Sequence, residues 1–468
     1  MRVGTLQIRS FLKVFNDALK GKEKSFTSGS INRAIVMLSV PTVLEMVMES
    51  LFTFFDLYFV SKIGAGAIAI NGTTAAVITF AFSVAIGLSI AGTTLVSRRI
   101  GEKKFKKAGA TAMQIIYLGF AISLLTSIFC IVFYEQILTL VGLEASLIEE
   151  AEIFAKIMFA SIVFIVLRIS INGILRGAGN ASIAMRTLWI SNIINIVLSP
   201  ILIFGLFGFP KFGIVGVALG SLVARVIGVV YQAWYIIKAK TILTITKSEL
   251  TFSKPIVKKV LKLSSTGAIQ YMIPASSWIF MVKIVSHFGA NALAGYFIAR
   301  QLASIATTPA WGFGNAAGVL TGQNLGAKQY KRAEKSVWKA GFFNTCFLIA
   351  IAILWRFLAV PAVSLFTNKS IVLTNGVLYL NYITMGYVLL GYTMVISRSL
   401  NAAGDVKVVT WLYVLMFYIT QIPLAYFLGV HVDWGPKGIF SAILISEFVL
   451  AIACILVFKK GKWKYIKV

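Results

Sequence analysis

The chain has 468 residues, of which 58% are apolar and only 13% charged, with a mean hydropathy of +0.87. So much apolar surface finds no stable burial in water, which excludes a soluble enzyme, a nucleic-acid-binding domain and a disordered scaffold and points to an integral membrane protein. The net charge of +28, from 44 Lys+Arg against 16 Asp+Glu, then has to be explained by membrane topology rather than by nucleic acid.

Apolar runs long enough to cross a hydrocarbon core of about 30 Å, at about 1.5 Å per helical residue, recur twelve times. In chain order they are predicted near 35–60, 67–97, 109–134, 147–175, 180–206, 213–237, 264–286, 292–322, 336–358, 376–400, 406–430 and 438–458. Ahead of them, Ile8, Phe11, Leu12, Phe15 and Leu19 share one helical face, so residues 1–33 are expected to lie as an amphipathic segment on the cytoplasmic surface of an anionic membrane.

Basic residues decide the orientation. Seven connecting or terminal segments on one side of a twelve-span chain hold 34 of the 44 Lys+Arg, including Arg176, Arg186, Arg398 and Lys407. By the positive-inside rule that side is cytoplasmic, with both termini there. The opposite side carries the acidic run Glu144, Glu149, Glu150 and Glu152. Anionic inner-leaflet lipid is the expected partner of the positive charge.

Sliding the chain against itself by 225 residues aligns most of each half without gaps. Val60, Ser61, Gly64 and Ala65 meet Val285, Ser286, Gly289 and Ala290; Gly87 meets Gly312; Lys103 meets Lys328; Ala178 and Gly179 meet Ala403 and Gly404. The expected fold is therefore all-α, with twelve transmembrane helices in two six-helix lobes related by a pseudo-twofold along the membrane normal. The implied organisation is an N-lobe over 34–237, a basic cytoplasmic linker over 238–262, a C-lobe over 263–458 and a basic tail over 459–468. Rocking of such lobes about a shared cleft is a common route to alternating access. No Walker-type loop, metal-ligand cluster or catalytic triad accompanies it, so a transporter and not an enzyme is expected, with no metal and no cofactor. Cys130, Cys346 and Cys454 stand singly, without metal-ligand spacing.

Pro41 with Asp56 in "PTVLEMVMESLFTFFD", then "GLSIAGTTLVSRRIG", "LRGAGN", "NIVLSP", "VLTGQNLGAKQYKRA" and "LNAAGD" stand in an order that resembles the multidrug and toxic compound extrusion (MATE) family, over roughly 33–458. The resemblance implies an antiporter that exports amphipathic, often cationic compounds against inward H+ or Na+. It implies an ion site near Asp56 whose occupation bends the first helix at Pro41. Relatives often read Asn-x-x-x-Asp-Pro on the fifth helix, whereas this chain has Asn195, Ser199 and Pro200, so a second carboxylate is missing. Phe154 and Val217 stand where hydroxyl-bearing residues are common in the family. A single carboxylate with Asn195 and Ser199 makes a poorer Na+ cage than two, which favours H+. A lipid-linked saccharide flippase of the same superfamily, and a non-transporting scaffold or channel, are the competing readings.

Eight of the ionisable residues inside predicted spans stand out as functional candidates: Glu45, Glu49, Asp56, Arg168, Arg225, Lys283, Arg300 and Glu447. Each costs about 2.5–3.5 kcal/mol at mid-bilayer unless it faces a cavity or a partner. At about 100° per residue Glu45, Glu49 and Asp56 share one stripe of the first helix and rise roughly 16 Å along it. They are the ion-coupling candidates together with Asn195 and Ser199; structural pairing with Arg225 is the alternative reading. Pro41 is the candidate hinge or a fixed kink. In the second half Lys283, Arg300 and Glu447 form a candidate charge cluster, unless Lys283 only snorkels. Trp278, Phe280, Trp311 and Arg225 are candidate contacts for a small amphipathic substrate. A monomer in the plasma (inner) membrane is expected.

Overall fold

The computed structural model describes residues 12–21, 25–238 and 242–468, and among these every regular element is helical. In chain order the long helices are α1 (Ile31–Ser61), α2 (Ala65–Gly101), α3 (Phe105–Val132), α4 (Ala145–Gly177), α5 (Ala181–Phe204), α6 (Ile214–Ile237) and α7 (Lys254–Ser286). After α8, described below, come α9 (Tyr330–Ser364), α10 (Ser370–Ala403), α11 (Val406–His431) and α12 (Pro436–Lys459). Of the expected N-terminal amphipathic face, Ile8 and Phe11 lie outside the described residues. A helix over 12–20 carries the remainder, and Arg186 donates to the Leu19 carbonyl at 2.8 Å.

Among the described residues eleven helices are long and apolar enough to cross a membrane, and they cover every predicted span except 292–322. There α8 is built from Ala290–Thr307 and Trp311–Gly326, joined by a 3-10 turn at Thr308–Ala310. Pro309 has no N–H to donate, and the expected span is one run of helical turns that tightens to 3-10 there. By contrast α1 runs unbroken through buried Pro41, where the Thr42 hydroxyl donates to the Leu38 carbonyl at 2.8 Å. α4 is interrupted for one residue at Ser161, whose hydroxyl donates to the Met158 carbonyl at 2.6 Å and so competes with the helix ladder. α11 loosens into π-helical turns at Leu415–Gln421 and Phe427–His431, on either side of Pro423.

The 225-residue repeat is visible in the element bounds: Ser61 and Ser286, Ala65 and Ala290, Gly101 and Gly326, Phe105 and Tyr330, and Ala181 and Val406 stand at equivalent ends. Lys103 and Lys328 both take φ 59°, in the left-handed region that non-glycine residues seldom visit. In each copy the turn is held the same way, with Lys104 N–H on the Arg99 carbonyl at 2.9 Å and Gln329 N–H on the Asn324 carbonyl at 2.8 Å.

The described residues divide into two compact units, one built mainly from Phe26–Val43 and Ile269–Val468 and the other mainly from Leu44–Ala268. The divisions fall inside α1 and inside α7, at positions 225 residues apart. Two repeated glycines explain how each helix half seats in its unit. A Cβ on Gly87 would lie 2.1 Å from the Ser264 carbonyl oxygen of α7, and one on Gly312 would lie 2.7 Å from the Val43 backbone nitrogen of α1. Only glycine lets these backbones approach so closely. The exterior of both units is apolar: Phe80, Leu125, Phe357 and Trp411 are all exposed, as lipid contact demands.

Candidate functional site

In the unit built from Leu44–Ala268, the first acid of the α1 stripe is fully engaged. Glu45 is 2% exposed, and Arg176 of α4 donates from one nitrogen to both carboxylate oxygens at 3.1 and 3.2 Å. Asn172, one turn earlier on α4, donates to Glu45 Oε1 at 3.1 Å and accepts from Gln232 of α6 at 2.6 Å. Arg176 also reaches the Ser89 hydroxyl of α2 at 3.4 Å. Four helices are thus tied together through one neutralised carboxylate. Breaking such a buried pair by removing one partner costs about 3–5 kcal/mol, because the other charge is left desolvated.

The other two acids differ. Glu49 is half-buried, and its carboxylate makes no hydrogen bond or ion pair among the described residues. Asp56, half-buried near the end of α1, faces the Asn71 amide of α2 and feels Arg225 of α6 as its cation. Arg225 itself donates to the Ser161 hydroxyl, at the break in α4, and approaches Met158 Sδ at 3.9 Å. Asp56 and Arg225 therefore neighbour each other without an ion pair of hydrogen-bonding length. Asn195 on α5 donates to the Ser221 hydroxyl of α6 at 3.0 Å and accepts from Ser199 at 3.3 Å. The expected companions of Asp56 are thus bonded chiefly to each other and to Ser221.

In the unit holding Ile269–Val468, no ion pair among the described residues joins Glu447 to Arg300 or Lys283. The guanidinium of Arg300 instead lies 4.9 Å from the Trp278 ring centroid, Lys283 is exposed, and Glu447 Oε2 on α12 is buried without a hydrogen-bond partner. The expected salt-bridged form of this cluster gives way to a cation–π contact and a lone carboxylate. Trp278 packs edge-on to Phe297 at 5.9 Å, Phe280 to Tyr418 at 6.1 Å, and Trp311 carries Arg398 at 4.9 Å. All three aromatics therefore have protein partners already.

Arg176, Asn172, Gln232 and Ser221 were not expected in the site. A signal for them did exist: Arg168, Asn172 and Arg176 recur at intervals of four along the largely apolar second part of α4, residues 162–177, a polar stripe on one helix face. The count of basic residues places Arg176 in a connection, yet it lies inside α4 and is buried. Phe154 and Val217 are both buried and apolar, and contribute nothing polar. Among the described residues no group of three or more His, Cys, Asp or Glu is placed to hold a metal ion.

Comparison with known proteins agrees with this architecture. The chain is 25% identical over 439 residues to the probable multidrug resistance protein YoeA of Bacillus subtilis, covering 93% of this chain and 95% of that one. It is 24% identical over 427 residues to a FAD transporter of Shewanella oneidensis, covering 91% and 94%. Its fold matches the outward-facing conformation of a multidrug resistance MATE family transporter with a TM-score of 0.88, at 24% identity over 95% of this chain and all of that one. The MatE family model matches residues 41–201 and 268–427, most of both repeats. The chain is a membrane transporter of the MatE family.

Proposed function

We propose that this transporter is a secondary active exporter of amphipathic, cationic small molecules, driven by inward H+ through alternating access of its two lobes, with Asp56 carrying the coupling proton. The observation that supports this most is the contrast along the α1 stripe: Glu45 is held in a bonded ion pair with Arg176, while Asp56 forms no ion pair among the described residues and has the Asn71 amide and a guanidinium committed to Ser161 near it. A carboxylate that is not locked in an ion pair can exchange its proton without unpairing a buried cation. H+ is favoured over Na+ because the side-chain oxygen of Asn195 already accepts the Ser199 hydroxyl, which leaves few free oxygens for a cation cage. The multidrug resistance name of the YoeA relative supports drug-like substrates, and the FAD transporter makes an anionic flavin nucleotide the second substrate to try. Both termini cytoplasmic, a plasma-membrane location and a working monomer complete the reading; the basic connections support the first of these.

The test is transport in liposomes containing the purified full-length protein, with a fluorescent organic cation and FAD as separate substrates and with H+ and Na+ gradients imposed one at a time. One charge crossing 100 mV is worth about 2.3 kcal/mol, so a single proton sustains roughly a fiftyfold gradient of a neutral substrate, whereas its exchange for one monovalent cation moves no net charge and is driven by the pH difference alone. Asp56→Asn is expected to abolish cation accumulation driven by H+ while leaving substrate binding in place. If Glu49→Gln stops transport and Asp56→Asn does not, Glu49 is the coupling group. Flux driven by Na+ alone would overturn the choice of ion, and no flux under either gradient would favour a scaffold.

A further inference from the structure

The first three turns of α9 border an open cleft of about 600 Å3 within the unit that contains it. Lys331, Lys335, Trp338 and Phe342 line it and, at about 100° per residue, fall within about 60° of one another on the helix. Lys339 and Phe343 flank them, and Asn32 of α1 closes one side by accepting from Lys339 at 2.9 Å. The one acid in the lining, Glu334, is already paired with Lys464 of the C-terminal tail at 2.7 Å. Lys331 and Lys335 are exposed and have no ion-pair partner among the described residues. Charge is thus gathered at the helix start and aromatic surface one to three turns further on, with Trp338 fixed between them edge-on to Phe458 at 5.4 Å.

The repeat gives this cleft its meaning. The corresponding positions of α3 carry Lys106, Ala110, Met113 and Tyr117, with Gln114 at that of Lys339, and there the chain covers itself. Gln114 donates to the Thr251 carbonyl at 2.9 Å and accepts from the Ser253 N–H at 3.1 Å. Tyr117 donates to the Leu250 carbonyl at 3.1 Å, and the Thr244 carbonyl lies 2.1 Å from where a Cβ of Gly109 would stand. On α9 the Phe26, Ser28 and Gly29 carbonyls accept from Arg332, Asn32 accepts from Lys339 and Lys464 pairs with Glu334, which leaves Lys331 and Lys335 without a partner among the described residues; Lys335 and Lys339 replace the neutral Ala110 and Gln114.

We propose that this cleft is a binding site for an anionic phospholipid of the adjoining leaflet, with its phosphate on Lys331 and Lys335 and its acyl chains along Phe342 and Phe343. Positive charge beside an aromatic surface at the start of a spanning helix matches a phosphate above hydrocarbon and matches neither a soluble anion nor a neutral lipid. The site is independent of the substrate and the coupling ion.

Native mass spectrometry of the full-length protein in detergent, titrated with phosphatidylglycerol or with phosphatidylcholine, tests it. The intact protein should retain one phosphatidylglycerol more tightly than any phosphatidylcholine. The double variant Lys331→Gln/Lys335→Gln should bind that lipid roughly thirtyfold more weakly, at about 1 kcal/mol per lysine. Both side chains are exposed, so the fold should survive, and an unchanged melting temperature would check this. Lys106→Gln, on the covered face of α3, should leave binding unchanged. The proposal fails if the double variant keeps the lipid, if Lys106→Gln loses it equally, if excess inorganic phosphate displaces it, or if the species recorded is a second copy of the chain.

Discussion

The two halves of this transporter share many of their helix bounds at a 225-residue spacing, yet their interiors are filled differently. In the first half a polar network runs through Glu45, Arg176, Asn172, Gln232 and Ser89, and the buried acid at its centre is neutralised. The second half has Gln270 at the position of Glu45 and Asn401 at that of Arg176, so the pair is absent. Its core is instead aromatic, with Tyr296 stacked on Phe440 at 6.3 Å and Tyr379 edge-on to both at 5.4 and 5.3 Å. The surfaces diverge too, since the linker covers α3 where α9 keeps an open lysine cleft. A duplicated backbone therefore constrains where helices begin, end and cross, and leaves each half free to take its own chemistry.

The largest expected effect tests the interior contrast. Glu45→Gln should destabilise by about 3–5 kcal/mol in thermal unfolding, because Arg176 is left buried and unpaired. Adding Arg176→Gln should recover part of that loss. Glu447→Gln should change stability by less than about 1 kcal/mol or raise it, since no cation depends on Glu447 and its Oε2 is buried without a partner. Equal losses in the two single variants would show that the halves are not chemically distinct in this way.

The repeated glycines probe what the halves share. Gly87→Ala and Gly312→Ala should each cost about 1–3 kcal/mol, as overpacking against backbone does. The first should be worse, because the carbonyl oxygen it meets stands 2.1 Å away against 2.7 Å for the nitrogen facing the second. Parallel losses of transport in both variants would confirm that each close approach matters; a silent Gly312→Ala would mean that only one helix half is tightly held.

The smallest effect concerns the linker, which covers the first half alone. The Thr246 hydroxyl, with its backbone N–H at 2.8 Å and the Ser248 hydroxyl at 2.8 Å, holds the Glu249 carboxylate down to about 2. Because this value is depressed on folding, the contribution to the stability of the Lys247–Leu250 turn is complete above the ordinary value near 4.5 and is lost progressively as pH falls through about 2. Hydrogen exchange of the linker amides, corrected for intrinsic rates, should show this weakening below pH 4.5, and Glu249→Gln should flatten it. The amides of α9 should show no counterpart.

Where sequence reasoning fell short, the reason lay in contacts between distant segments. The position of Arg176 in the chain suggests a topology signal, yet its guanidinium lies against an acid 131 residues away. The expected span over 292–322 is present as one run of helical turns, tightened to 3-10 at Thr308–Ala310, a local change that its length and hydropathy do not reveal. Glu447, Arg300 and Lys283 sit at similar expected depths, and depth alone does not say which way a helix face turns. Helical periodicity alone places Asp56 on the α1 stripe, while its coupling role is what the family resemblance implies.

By itself the sequence determined that the chain spans a membrane, how many times, and that it repeats, because hydropathy, length and internal similarity are properties of the chain read one residue after another. The repeat even carried its turn geometry, since the paired lysines adopt the same φ in both halves. Only the tertiary structure decided which acid is neutralised, which helix face the linker covers and where the units divide within α1 and α7. These depend on the rotation of one helix against another, and inside a membrane the pattern of apolar residues scarcely specifies that rotation, because lipid-facing and protein-facing surfaces are both apolar.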